Sequence, residues 1–214
     1  MLQPSPNPWG YFGKVYVCTL ERSMDRHKWM TGQFEMLHNM GYDVEYEFVV
    51  GEYKGNSIAP NESHLKIYDH VLGSGGSRVL VMEDDCEILP EIGGFQVSLV
   101  DLLMHKDWEI FYLGTHLYGP TETTLGSHVR RVSKAVSLHS YALSRSGMEF
   151  LTNREIRKKL ETKPMDLVIC EELLLRRNGY VANPMMTKQH PSFSDISNAH
   201  QNYDEMFETA KRWL

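Results

Sequence analysis

The chain has 214 residues, 42% of them hydrophobic and 23% charged, with a formal net charge of −6. That length suits one domain with a substantial core, and the composition is that of a soluble globular protein. The excess of 28 acidic over 22 basic residues argues against a sequence-blind grip on nucleic acid, and no run approaches the ~20 apolar residues of a membrane span.

Residues Met1 to Gly10 hold three prolines and no apolar core, unlike a signal peptide. The three cysteines, Cys18, Cys86 and Cys170, are odd in number and show no metal-ligand spacing. Reduced, structural thiols in a cytoplasmic setting are expected. Residues 1–214 read as a single domain, with 1–12 as an N-terminal extension and a C-terminal helix within 197–214.

Strand and helix patterns alternate, which predicts an α/β fold with many parallel strands. Lys14–Leu20 reads as a strand. Asp25–Met40 reads as a helix with Met30, Phe34 and Leu37 on one face and Gly41 as its stop. Val44–Val50 is the next strand and Gly51–Pro60 a loop. A helix is expected from about Glu62 to Leu72, capped by Asn61 and burying Leu65, Tyr68 and Leu72. Gly73–Ser77 is a turn that precedes its strand, whereas a phosphate loop follows one.

Arg78-Val-Leu-Val-Met82 reads as a buried strand that emits Glu83-Asp84-Asp85 at its carboxyl end. In open α/β sheets, ligands bind outside that end. Three crowded carboxylates repel one another, and a hard cation such as Mg²⁺ or Mn²⁺ would join them, shared with substrate phosphates. The plainer reading is a solvated acidic turn. A helix with Phe95, Leu99 and Leu102 follows, then a strand over Trp108–Leu113 ending at Gly114-Thr115-His116. Tyr118–Ser127 reads as a loop, Ala135–Leu143 as a strand and Ser146–Leu151 as the start of a helix. The basic run Arg154–Lys163 reads as a solvated helix face, or as a local basic groove. A helix over Asp166–Arg177 closed by Gly179, a strand-like run Tyr180–Thr187 and a helix Tyr203–Leu214 complete the chain.

Four further constellations stand at element ends. Arg22 and Arg26, four apart after the first strand, would face the same side of a helix start that favours anions, or form a surface cluster with Asp25. Ser63-His64 falls in the first turn of its helix. That position would lower the histidine pKa and leave a neutral imidazole, or would make a simple cap. Asp166 is placed as a helix cap or as a general base, with Glu171 and Glu172 nearby. The polar run Gln189–Ile196 offers His190 and Asp195 as metal or phosphate contacts, or is a surface turn.

Taken in order, these motifs resemble glycosyltransferase family 25, the lipooligosaccharide and collagen sugar transferases. The matching segments are Val17–Arg26, Ser63-His64, Val79–Asp85, Phe111–Gly114, Ser140–Gly147, Pro164–Asp166, Pro184 and Gln189–Ile196. They span about residues 14–196. The resemblance implies a GT-A-like nucleotide-sugar transferase fold, a largely parallel sheet sandwiched by helices. It implies a nucleoside-diphosphate sugar donor, commonly a UDP-sugar, and inverting transfer to a hydroxyl of a glycan, a protein or a modified nucleobase.

Under that reading, Asp85 with Glu83 would hold Mn²⁺ or Mg²⁺, with His190 and Asp195 as further ligands. Leu20, Arg22, Arg26, Ser63, His64 and Asp84 would hold the nucleotide. Asp166 would take the acceptor's proton, with Glu171 or Glu172 as substitutes. Two other classes stay open: another metal-dependent phosphoryl or nucleotidyl transferase, and a non-catalytic nucleotide-sugar or glycan-binding module.

Overall fold

A computed structural model describes residues 7–52, 55–194 and 199–214. The strands are β1 (Val15–Leu20), β2 (Tyr46–Gly51), β3 (Arg78–Glu83), β4 (Cys86–Ile88), β5 (Ile110–Leu117), β6 (Glu122–Thr123), β7 (Val129–Arg131), β8 (Ala135–Ser144), β9 (Gly179–Ala182), β10 (Thr187–Gln189), β11 (Ser192–Ser194) and β12 (Ala199–Gln201). The α-helices are α1 (Met24–Asn39), α2 (Pro60–Gly73), α3 (Phe95–Leu103), α4 (Arg145–Thr152), α5 (Arg154–Leu160), α6 (Met165–Val168) and α7 (Asp204–Lys211).

Eight strands form one sheet in the order β2-β1-β3-β8-β5-β9-β7-β6. Strands β2, β1, β3, β5, β9 and β6 run one way, while β8 and β7 run against them. The sheet is therefore mostly parallel. Side-chain alternation along each strand feeds two cores. Val15, Val17, Leu80 and Met82 enter the core under α1 and α3, while Tyr16, Cys18, Val79 and Val81 enter the one under α2 and α4–α7. Trp9 and Phe12, ahead of β1, are buried against Phe95, so the segment from residue 7 packs as part of the domain.

Several elements depart from the sequence pattern. Helix α2 starts at Pro60, with Ala59 rather than Asn61 in the capping position. Proline suits a first helical position, where an N–H has no partner. The helix buries Asn61, Ser63 and His64, which turns Ile67, Tyr68 and Val71 inward and leaves Leu65 and Leu72 half-buried. Strand β5 runs on through Gly114-Thr115-His116. The run expected as one helix over Asp166–Arg177 is α6, a π turn over Ile169–Leu173 and a 3₁₀ turn over Leu174–Arg176. Arg177, in the left-handed region, closes it, and Gly179 opens β9 instead.

The Tyr180–Thr187 run splits into β9 and β10. Strand β10 leaves the sheet to pair antiparallel with β4, which directly follows the acidic turn. This ribbon crosses the carboxyl edge of the parallel strands. Gly114 permits the crossing: a Cβ there would collide with the Thr187 carbonyl oxygen.

Candidate active site

The parallel topology brings the ends of β1, β2 and β3 to one edge. Thr19 and Leu20, Gly51, and Glu83 with the Asp84-Asp85 turn meet there. Arg26 from the first turns of α1, Ser63 and His64 from α2, Gln189 from β10 and Tyr203 complete a cleft within about 860 Å³ of space open to solvent. Gly51 matters locally: a Cβ would run into Ser63 Oγ, so its absence lets α2 close over the strand end.

Asp84 is buried and fully engaged. Thr19 Oγ1 donates to its Oδ2 at 2.6 Å, and Arg26 Nη1 donates to its Oδ1 at 2.6 Å. Burial raises its pKa against the pull of Arg26 and Thr19. Arg26 also donates to Ser192 Oγ at 3.0 Å, which ties α1 to β11. Asp85 differs. Gln189 Nε2 donates to its Oδ2 at 2.9 Å, while its Oδ1 is buried without a partner among the described residues. Burial, then the Glu83 carboxylate, pushes its pKa up to about 7.

His64 is 1% exposed. Its Nδ1 lies 2.7 Å from the Tyr141 hydroxyl and 3.9 Å from Cys18 Sγ, and its Nε2 is 3.5 Å from Glu83 Oε1. The Tyr141 hydroxyl in turn bonds that of Tyr68. The expectation of a lowered His64 pKa is corrected here. Burial works against the imidazolium, but the Cys18 sulfur and Glu83 carboxylate outweigh it, and the shift is upward. Two neighbours at the ring nitrogens override the helix N-terminus.

Arg22 is exposed before α1 and does not line the cleft, unlike Arg26. His190 does not line it either. Alternation along β10 turns Gln189 toward Asp85 and His190 outward, where its ring stacks on Trp29 at 3.9 Å and its Nδ1 sits 3.2 Å from Glu87. Asp195 lies outside the described residues. Among the described residues, no three His, Cys, Asp or Glu side chains converge as a ready-made metal cage. Of the expected ligands, Glu83 and Asp85 both line the cleft. The unpartnered Asp85 Oδ1 fits a hard cation that is held by one or two carboxylates and completed by phosphates and water.

A second cavity adjoins the first. His64, Glu83, Gln189 and Tyr203 line both. Asp166, His116, Ser137, Tyr118, Lys134 and Met206 line only the second, within about 1400 Å³ of space open to solvent. Asp166 is not the cap of α6; Pro164 holds that position. Its Oδ1 accepts from Leu167 N–H at 2.8 Å and its Oδ2 from Ser137 N–H at 3.3 Å. Glu171 and Glu172 do not line either cavity; they pair with Lys163 at 2.6 Å and Lys159 at 2.5 Å.

Asn61, expected as a cap, instead clamps the turn ahead of Asp166. Its Nδ2 donates to Leu160 and Lys163 carbonyls, both at 2.8 Å, and its Oδ1 accepts from Met165 N–H at 2.9 Å. These partners stand about a hundred residues away, so no local pattern could reveal them. His116 had a local signal, its place at a strand end after Gly114-Thr115.

No family model matches the sequence, and no curated protein matches it. Among solved structures, the chain is similar to a glycosyltransferase involved in glycosylation of the major capsid of PBCV-1. The TM-score is 0.53 at 12% identity, covering 92% of this chain and 98% of that one. The fold is GT-A-like. Looser similarities reach a UDP-glucose pyrophosphorylase complexed with UDP-glucose (TM-score 0.46, 11% identity, 94% of this chain and 80% of that one). Another is a mannose-1-phosphate geranyltransferase from Thermus thermophilus (TM-score 0.41, 10% identity, 78% and 58%). Within this GT-A-like fold, the cleft occupies the carboxyl edge where the topology predicts a ligand.

Proposed function

We propose that the chain is a glycosyltransferase that moves a sugar from a nucleoside-diphosphate donor to an acceptor hydroxyl. The observation that carries this reading is the Asp85 carboxylate. One of its oxygens is buried and unpartnered in a cleft at the strand ends, beside Arg26. The order of motifs resembling family 25 supports it, and favours a UDP-sugar and inversion at the transferred carbon.

The donor belongs in the first cleft. Leu20, Ser63 and His64 form its walls, and Arg26, fixed by Asp84 and Ser192, sets positive charge beside the diphosphate. Asp85 and Glu83 would hold a divalent cation, Mn²⁺ or Mg²⁺, which when bound would supply Lewis-acid neutralisation of the leaving diphosphate. The acceptor belongs in the second cavity, and the shared wall of His64, Glu83, Gln189 and Tyr203 is where the two substrates meet. Asp166 is the base that takes the acceptor's proton. Its two backbone N–H partners hold the carboxylate toward that cavity.

The test is a donor screen: nucleotide sugars titrated with Mn²⁺ and Mg²⁺, reading binding and nucleotide release. Sugar transfer that leaves the acceptor free of nucleotide supports the glycosyltransferase. Nucleotidylated acceptor would assign a nucleotidyl transferase instead, and binding without turnover a binding module.

A further inference from the structure

The second cavity carries hydrogen-bonding capacity that the proton-transfer step does not use. His116, near the end of β5, is 3% exposed, and its Nε2 has no hydrogen-bond partner among the described residues. Burial pushes its pKa down to about 4, against the pull of Glu83, so the imidazole is neutral near pH 7. A neutral imidazole presents one donor and one acceptor nitrogen. Leaving such a group buried and unpaired is unfavourable, because the water contacts it gives up are not replaced.

The backbone around His116 is reshaped for this position. The register of β5 against β8 shifts twice, between Tyr112 and Gly114 and between Gly114 and His116. Such breaks re-aim side chains and concentrate near active sites. Facing them, Ser137 takes a φ of 78°, uncommon for a residue with a Cβ. Its N–H donates to Asp166, and its hydroxyl meets His139 Nδ1 at 2.9 Å. The His116 ring lies 6.0 Å from that of His139 and 5.4 Å from that of Tyr203.

We propose that this cavity binds a sugar ring as the acceptor, with the His116 imidazole as a direct contact to one of its hydroxyls. The inference rests on the transferase reading and names the acceptor class of that same site. Ser137 and Gln189 are already bonded to His139 and Asp85, but the open His116 nitrogen and the Asp166 carboxylate, whose oxygens each take one backbone N–H and keep further lone pairs, offer more than a lone serine or threonine hydroxyl could satisfy. A pyranose, with hydroxyls around its rim, engages several at once. The exposed Tyr118 ring and Met206 supply apolar surface for its C–H faces. Lys134 is the one lysine or arginine among the described lining residues, against the carboxylates of Glu83 and Asp166. A single fixed cation on a flexible stem is a weak grip for a phosphate-backboned acceptor.

The experiment uses the full chain, UDP with Mn²⁺, and a panel of methyl pyranosides followed by ligand-observed and amide NMR. At least one pyranoside should bind and shift the amides of His116, Ser137 and Asp166. The variant His116→Phe keeps a buried ring but removes both nitrogens. It should weaken that pyranoside about tenfold, leave UDP affinity unchanged and melt at or above the wild-type temperature. His116→Gln should recover part of the affinity. Pyranoside binding that is equal in wild type and His116→Phe overturns the proposal. So does a panel without a binder, or shifts produced only by a hydroxyl-bearing peptide or a hydroxymethylated oligonucleotide. The amide shifts need no variant, so a misfolded His116→Phe leaves the test intact. If pyranosides bind as expected while UDP does not, the acceptor site stands and the donor assignment falls.

Discussion

The two cavities share a wall but treat their polar groups in opposite ways. In the first, the side chains are committed in advance. Thr19 and Arg26 hold Asp84, Gln189 holds half of Asp85, and Glu83 faces His64. One buried carboxylate oxygen, Asp85 Oδ1, remains open, as does His64 Nε2 on the wall that both cavities share. In the second, Asp166 is held by backbone alone, and the His116 imidazole keeps an unpartnered nitrogen. A network tied by side chains suits a donor whose diphosphate is always the same. A cavity that leaves polar groups open suits an acceptor whose hydroxyls must be recognised. Fixed charge sits on one side and open hydrogen-bonding capacity on the other.

A substitution that keeps side-chain size, made once in each cavity, should separate their roles. Asp166→Asn gives up one of the two backbone N–H bonds and should cost about 1 kcal/mol of stability. It should leave nucleotide affinity intact, yet lose transfer by roughly 10²–10⁴-fold, because an amide cannot take the proton. Asp85→Asn should lower turnover by on the order of 10²-fold or more and weaken nucleotide binding in the presence of metal. Parallel measurement of nucleotide affinity and transfer separates them: one mutant should keep donor binding and the other should not. Unchanged transfer by Asp166→Asn would remove it from the mechanism.

Acid should strike the second cavity. Burial lowers His116 to about 4 and His139, with His116 adding to the effect, to about 3. Folded-state values below the unfolded ~6.5 mean that the unfolded chain binds more protons in between. The stabilisation is fully present above pH ~6.5 and is lost as pH falls toward 4, by on the order of 3 kcal/mol for His116. Melting temperature should therefore drop across that window, and His116→Phe should drop less. An equal slope in both proteins would contradict the burial of a neutral ring.

Backbone packing gives an intermediate effect. Gly114→Ala would drive a methyl into the Thr187 carbonyl and push β10, with Gln189, off the strand edge. A destabilisation of about 1–3 kcal/mol is expected from thermal melts. Gly51→Ala should cost less, since it meets the movable Ser63 hydroxyl. The smallest effect belongs outside both cavities. Glu171→Gln and Glu172→Gln break exposed pairs with Lys163 and Lys159, and each should stay within about 1 kcal/mol in stability and leave transfer unchanged.

The same contrast explains what the sequence disclosed. The first cleft was legible because its residues sit at strand ends: the buried run Val79–Met82 followed by Glu83-Asp84-Asp85 announces both the strand and its acidic edge. Arg26 followed from its place at a helix start. His190 was misplaced because only the register of β10 against β4 decides which of two neighbours faces Asp85. Glu171 and Glu172 were indistinguishable from Asp166 until their lysines came into view. Asn61 reads locally as a cap, yet its three partners lie 99 to 104 residues along the chain. The role of His116 depends on register breaks in β5 and on Ser137 opposite, which no periodicity encodes.

Two cavities that hold a nucleotide sugar and a hydroxyl acceptor on either side of one shared wall should couple loss of the donor to formation of the product. Donor turnover by the wild-type protein tests it most directly: UDP-sugars with a pyranoside, assayed for released nucleotide and for a new glycosidic bond, in Mn²⁺ and again in excess chelator. The expected result is coupled release and bond formation with metal, abolished by chelator and restored by Mn²⁺ or Mg²⁺. Full activity in chelator would contradict the role given to Asp85, and intact donor across the whole nucleotide-sugar panel would contradict the transferase itself.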